Sequence, residues 1–192
     1  MKVVRGALLA SWIVFAAGAA DAADLTGECL WNALPAAAQD RIYAGYSERG
    51  YSAVLDDKTN PTDSGLAACA GWPTDQSKAS KLGVLAAHIF IPTKLEFASR
   101  EYLVRQGYAR DRLESAWSDL TPEKRVQLRN LGKAMLTGGK LDFDPAAEVV
   151  LDAAETAGWE AVGTPAAMRE AQSFGDFFIG RAAREHFEAE AP

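Results

Sequence analysis

A chain of 192 residues with 20 Lys and Arg against 26 Asp and Glu carries a formal net charge of −6, which argues against a cationic nucleic-acid surface and against attraction to an anionic bilayer. Its length suits one domain with a sizeable core. Two histidines and two cysteines leave few ligands or nucleophiles. The sequence has no Gly-x-Ser-x-Gly, no His-Glu-x-x-His and no phosphate-binding glycine loop.

Residues 1–22 read as a cleaved signal peptide. Lys2 and Arg5 form its basic start, Ala7 to Ala17 its apolar run with Trp12, Ile13, Val14 and Phe15, and Ala20-Asp21-Ala22 its cleavage region. Removing Lys2, Arg5 and Asp21 from the 20 basic and 26 acidic residues leaves 18 and 25, a formal charge of −7. An all-helical globular domain is expected over 23–192, periplasmic or secreted, with no transmembrane segment. Export leads into an oxidising compartment, and the mature chain holds only Cys29 and Cys69. A Cys29–Cys69 disulfide follows. No Cys-x-x-Cys motif favours a redox pair.

Strand signals are nearly absent, and Gly and Pro divide the chain into about seven or eight helices, an irregular bundle. Leu25 to Leu34 is short and carries Cys29. Pro35 precedes a helix over Ala36 to Arg49, with Ile42, Tyr43 and Tyr46 on one face, and Gly50 ends it. Tyr51 to Leu55 is a brief turn of helix. Asp56 to Gly65 is loop chemistry. Leu66 to Ala70 returns Cys69 towards Cys29, and Gly71-Trp72-Pro73 stops it.

Leu82 to Ile91 holds nine apolar residues interrupted only by His88. Leu82, Leu85, Ala86 and Ile89 share a helical face, while Val84, Phe90 and Ile91 cover the other directions, so the helix is expected to be buried. Its length, roughly 15 Å, is too short for a bilayer. Pro92 is expected to kink or break it. The chain resumes over Thr93 to Gln106 with Leu95, Ala98 and Tyr102 inward. Glu96 and Arg100 form an outward pair one turn apart, and Lys94 and Glu101 are expected in solvent. Gly107 closes this helix, and Arg110 to Asp119 buries Leu113, Ala116 and Trp117.

Thr121 caps the next helix with Pro122 in its first turn, and Gly138-Gly139 stops it. Leu120-Thr121-Pro122-Glu123 resembles, for one turn, the Leu-Thr-x-x-Gln helix start of small helical periplasmic stress chaperones, with Lys124 in place of the glutamine. An ordinary capped helix shows the same residues. Asp144 is read as the N-cap of a helix through Val149, Val150 and Ala153, and Thr164-Pro165 opens the last helix, ending near Glu188. Trp31, Trp72, Trp117 and Trp159 are spaced by 41, 45 and 42 residues. Trp31, Trp117 and Trp159 each stand shortly before a proline-started helix, which reads as a recurring helix–turn–helix corner rather than a full repeat.

His88 is the strongest single candidate for chemistry, because burial lowers an imidazole's pKa and makes it a base or ligand. A buried histidine is more often simply satisfied by a backbone carbonyl or a hydroxyl. His186 and Glu190 share a metal-compatible spacing without a third ligand. Asp142, Asp144 and Glu148 fit a helix start better than a calcium loop. The candidate binding set is His88, Glu96, Arg100 and Trp72, with no catalytic residue, metal or cofactor expected. The reading is a non-enzymatic exported module that uses a helical groove to bind an envelope protein or peptide, motivated by the missing catalytic motifs and by surface aromatics, Tyr43, Tyr46, Tyr51, Trp72 and Tyr108. The alternative is a small-molecule or hydrolase-like cavity near His88 at a Pro92 break.

Overall fold

The structure, a computed structural model, describes residues 25–71, 76–140 and 142–191. The signal peptide read over 1–22 and Trp72 lie outside them. The described residues are all-α: α1 (Gly27–Asn32), α2 (Ala36–Arg49), α3 (Tyr51–Asp56), α4 (Asp63–Ala70), α5 (Gln76–Arg105), α6 (Arg110–Ser118), α7 (Pro122–Thr137), α8 (Asp144–Thr156) and α9 (Pro165–Ala189). Among them no helix is long and apolar enough to cross a membrane.

Local chemistry sets most of the ends. Thr121 Oγ1 accepts from Lys124 N and Thr164 Oγ1 from Ala167 N, each ahead of a first-turn proline. Gly50 and Gly138 end α2 and α7 at φ 67° and 72°, where a side chain would be strained. Asp144 does not cap α8. Phe143 occupies that position, and Asp144 sits in the first turn beside Pro145, where its charge still meets the helix dipole.

α5 corrects the expectation of a break, running as one helix through Pro92. Pro92 cannot donate to His88 O, at a cost of about 3 kcal/mol in a helix interior. Thr93 Oγ1 supplies a donor to the neighbouring Ile89 O at 2.6 Å. Burying Ile89, Phe90 and Leu95 around the proline contributes about 1.5–3 kcal/mol each, enough to outweigh that cost. The buried part of α5 also lies later than the apolar run suggests. Val84 is 57% exposed, while burial is deepest from Ile89 to Leu103.

α9 lies antiparallel to α5: His88 meets Phe187, Glu96 meets Arg184, and Tyr102 meets Arg169. Gly180 permits this closeness, since a Cβ there would stand 2.9 Å from Glu96 N and 3.0 Å from Pro92 O. On its other side α9 meets α7 at Gly132, where a Cβ would stand 2.8 Å from Ala183 Cβ. Two apolar clusters flank this pair. Phe174, Phe177 and Phe178 of α9 join α6, α7 and α8, whereas Phe187 joins Leu30, Ile42, Tyr46 and Ile89. The Cys29–Cys69 disulfide ties α1 to α4, with Cα atoms 5.7 Å apart. Of the three tryptophan corners, those at Leu34 and Leu120 bury their aliphatic residue, whereas Val162 is 56% exposed.

Candidate functional site

α7, α8 and α9 leave a groove between them. Small residues stand where helices would otherwise interlock: Ala146 and Ala147 on α8, Ala171 and Gly175 on α9. The result is a space of about 420 Å³ with Leu131, Met135, Val150 and Ile179 among its walls and Tyr51 reaching it from α3. Phe143 and Leu151, also on the groove, are 53% and 42% exposed.

Asp176 is the one carboxylate lining this space, with no basic side chain beside it and the Tyr51 phenol as the other titratable group. It is 8% exposed and accepts a 2.7 Å hydrogen bond from Tyr46 Oη at Oδ2. Among the described residues it forms no ion pair. Arg169, the cation whose field reaches it, donates its hydrogen bonds elsewhere. Its Nη2 donates to Tyr46 O at 2.7 Å, its Nη1 to Gln172 Oε1 at 3.3 Å, and its guanidinium stacks on Tyr46 and Tyr102. Burial pushes the Asp176 carboxyl up to about 6, against the pull of the Tyr46 hydrogen bond and Arg169. Burial and the Asp176 charge likewise raise the phenols of Tyr46 and Tyr51.

Glu96 and Arg100 do not form an outward pair. Glu96 is 1% exposed and faces Arg184 across the α5–α9 seam, with Nε to Oε2 at 2.5 Å and Nη2 to Oε1 at 3.3 Å. Arg184 Nη1 donates to both oxygens of Glu188 at 2.9 Å, and Glu188 Oε1 accepts from Gly27 N at 2.6 Å. Arg100 lies over the Phe97 ring at 4.3 Å with Nη1 3.6 Å from Glu114, which Arg181 also grips. These groups share a polar cleft of about 290 Å³ with Glu28 and Arg110. Arg100, Arg181 and Arg184 are held by Glu96 and Glu114 of the same cleft, so most of its charge is already paired within the protein.

Lys94, too, is not in solvent. It is 2% exposed and pins the loop after α3, donating to Asp57 O at 3.0 Å and Thr59 O at 3.4 Å. Burial lowers its pKa, with Asp57 opposing. His88 is half-buried, its ring 5.1 Å from Phe187, on neither the groove nor the polar cleft. The space against Pro92 is a void of about 20 Å³, and His88 does not line it. His186 Nε2 lies 3.3 Å from Glu190, and burial lowers its pKa. Among the described residues no group of three His, Cys, Asp or Glu side chains is placed to hold a metal. Tyr46 is buried rather than a surface aromatic, and Tyr43, Tyr51 and Tyr108 are half-buried.

No family model, curated protein or solved structure matches this chain. The functional argument therefore starts from the groove. Its key residue was visible in the sequence only as an oddity, an acid at position 176 inside Phe174-Gly175-Asp176-Phe177-Phe178. A carboxylate among three phenylalanines of one helix either pairs or faces a cavity.

Proposed function

We propose that this chain is a non-enzymatic binding module of the periplasm, and that the groove between α7, α8 and α9 takes the apolar part of its ligand. The observation that carries this reading is the 420 Å³ space with largely apolar walls and one inward carboxyl, the make-up of a recognition pocket. The groove holds Asp176, Tyr51 and Gln172 as polar side chains, with no paired acid or activated hydroxyl, an inventory suited to holding a ligand. The disulfide supports an oxidising compartment, and residues 1–22 supply the export signal. A site at His88 and Pro92 has no comparable support, because the void there is about the size of one water.

The test is fluorescence titration with N-phenyl-1-naphthylamine, an uncharged apolar probe, against the wild type and Ala147→Trp. Ala147 is exposed and lines the groove, so the indole fills space without disturbing the core. Saturable binding at micromolar concentration, lost in Ala147→Trp with the unfolding midpoint unchanged, is expected. Equal binding by the variant, or none by the wild type, would discard the groove.

A further inference from the structure

Building on the groove assignment, we infer that its ligand is a small amphiphilic amine whose ammonium group binds the Asp176 carboxylate while its apolar body lies along α7 and α8. The placement of charge leads there. Among the groove's lining residues Asp176 carries the sole carboxyl, and no basic side chain accompanies it. A carboxylate accepts through two oxygens. Oδ2 takes the Tyr46 hydroxyl, and the only protein hydrogen bond to this side chain among the described residues is that one. The groups that face it from each neighbouring element are Tyr46 on α2, Tyr51 on α3, and Arg169 and Gln172 on its own helix. The walls from α7 and α8 are apolar at Leu131, Met135, Ala146 and Val150. Arg169 donates from Nη2 to Tyr46 O and from Nη1 to Gln172, and among the described residues it makes no ion pair with the carboxylate. A buried acid without a paired cation is costly to ionise, and a ligand ammonium removes that cost. An anionic ligand meets repulsion at the same point, and a neutral one gains only a hydrogen bond.

The size of the space favours a free small molecule over a peptide. At about 420 Å³ it falls in the range of roughly 300–1,000 Å³ that encloses small ligands. Binding should also follow the carboxyl's proton. Asp176 titrates near 6, while an alkylamine stays protonated throughout. The ammonium-binding fraction therefore rises about tenfold between pH 5 and 7.

The experiment is calorimetric titration of octylamine, octanol and octanoate, matched in chain length, into the mature disulfide-bonded protein. At pH 7 octylamine is expected to bind at least tenfold tighter than octanol, with octanoate weakest. That preference should shrink about tenfold at pH 5 and vanish in Asp176→Asn, which keeps an acceptor for Tyr46. The pH series on the wild type decides the matter even if Asp176→Asn fails to fold. Equal binding of all three overturns the amine assignment and leaves the groove intact. Tightest binding of octanoate overturns the amine assignment as well. A lysine-containing apolar tripeptide that binds where octylamine does not overturns the small-molecule assignment. Failure of every compound to bind overturns the inference and the groove together.

Discussion

Replacing Arg184 by methionine strands the Glu96 carboxylate. Glu96 is 1% exposed, and its two contacts to the guanidinium, at 2.5 and 3.3 Å, disappear together with the two 2.9 Å bonds to Glu188. Breaking a buried pair from one side costs about 3–5 kcal/mol. Glu96→Gln is milder. It retains an acceptor for Arg184, and the guanidinium keeps Glu188, so the loss should be about 1.5–3 kcal/mol, the worth of a hydrogen bond to a charged group. The double variant Glu96→Met/Arg184→Met removes both charges and should cost less than Arg184→Met alone, because apolar replacements of a buried pair come close to neutral. Urea unfolding at pH 7, with the disulfide intact and a common slope, measures all three. If Glu96→Gln costs as much as Arg184→Met, or if the double variant equals the sum of the single substitutions, the seam is not held by this asymmetric pair.

Reducing or replacing the Cys29–Cys69 bridge, which closes a loop across 40 positions, should lower stability by about 4 kcal/mol in the chain-entropy model; a loss under about 1 kcal/mol in a Cys29→Ser/Cys69→Ser variant would show that the bridge constrains little. Gly180→Ala forces a Cβ within 3.0 Å of backbone on α5 and should destabilise by about 1–3 kcal/mol. Gly83→Ala, on the same α5 but with open space around it, should stabilise by about 0.5–1 kcal/mol; thermal melts that rank the two the other way would contradict the packing. Asp176, held near 6 against an ordinary 3.8, favours the fold most when protonated. Its contribution is complete below about pH 4 and is lost as pH rises through 6, an amount up to about 3 kcal/mol. The stability of the wild type relative to Asp176→Asn should therefore fall between pH 4 and 7.5, and a flat difference would show a carboxyl that is not desolvated.

Features set by neighbours in the chain were legible before any coordinates. Thr121-Pro122, Thr164-Pro165, Gly50 and Gly138 mark helix ends because capping and left-handed turns depend on a few adjacent residues. The disulfide followed from having one pair to choose. Pro92, Lys94 and Glu96 are not legible in this way because their surroundings come from distant segments. Glu96 pairs 88 positions downstream and Lys94 37 positions upstream, and nothing in α5's own periodicity announces either. Arg100 reads as outward for the same reason, its partner Glu114 lying on another helix. A helical groove is expected from the sequence, but its position is not legible there, because a cavity is made by what three helices fail to fill at Ala146, Ala147, Ala171 and Gly175. Alanine and glycine read locally as good or neutral filler, and only the misplaced acid at 176 hinted at the space.

The separations along the chain carry a kinetic consequence. Gly27 waits for Glu188 across 161 positions, Tyr46 for Asp176 across 130, and Glu96 for Arg184 across 88. All three partners sit on α9, so neither apolar cluster is complete until that segment has been made. Closing loops of this length costs chain entropy before the contacts repay it, which slows these particular steps. A chain cut short before α9 would lack all three partners and leave both clusters open.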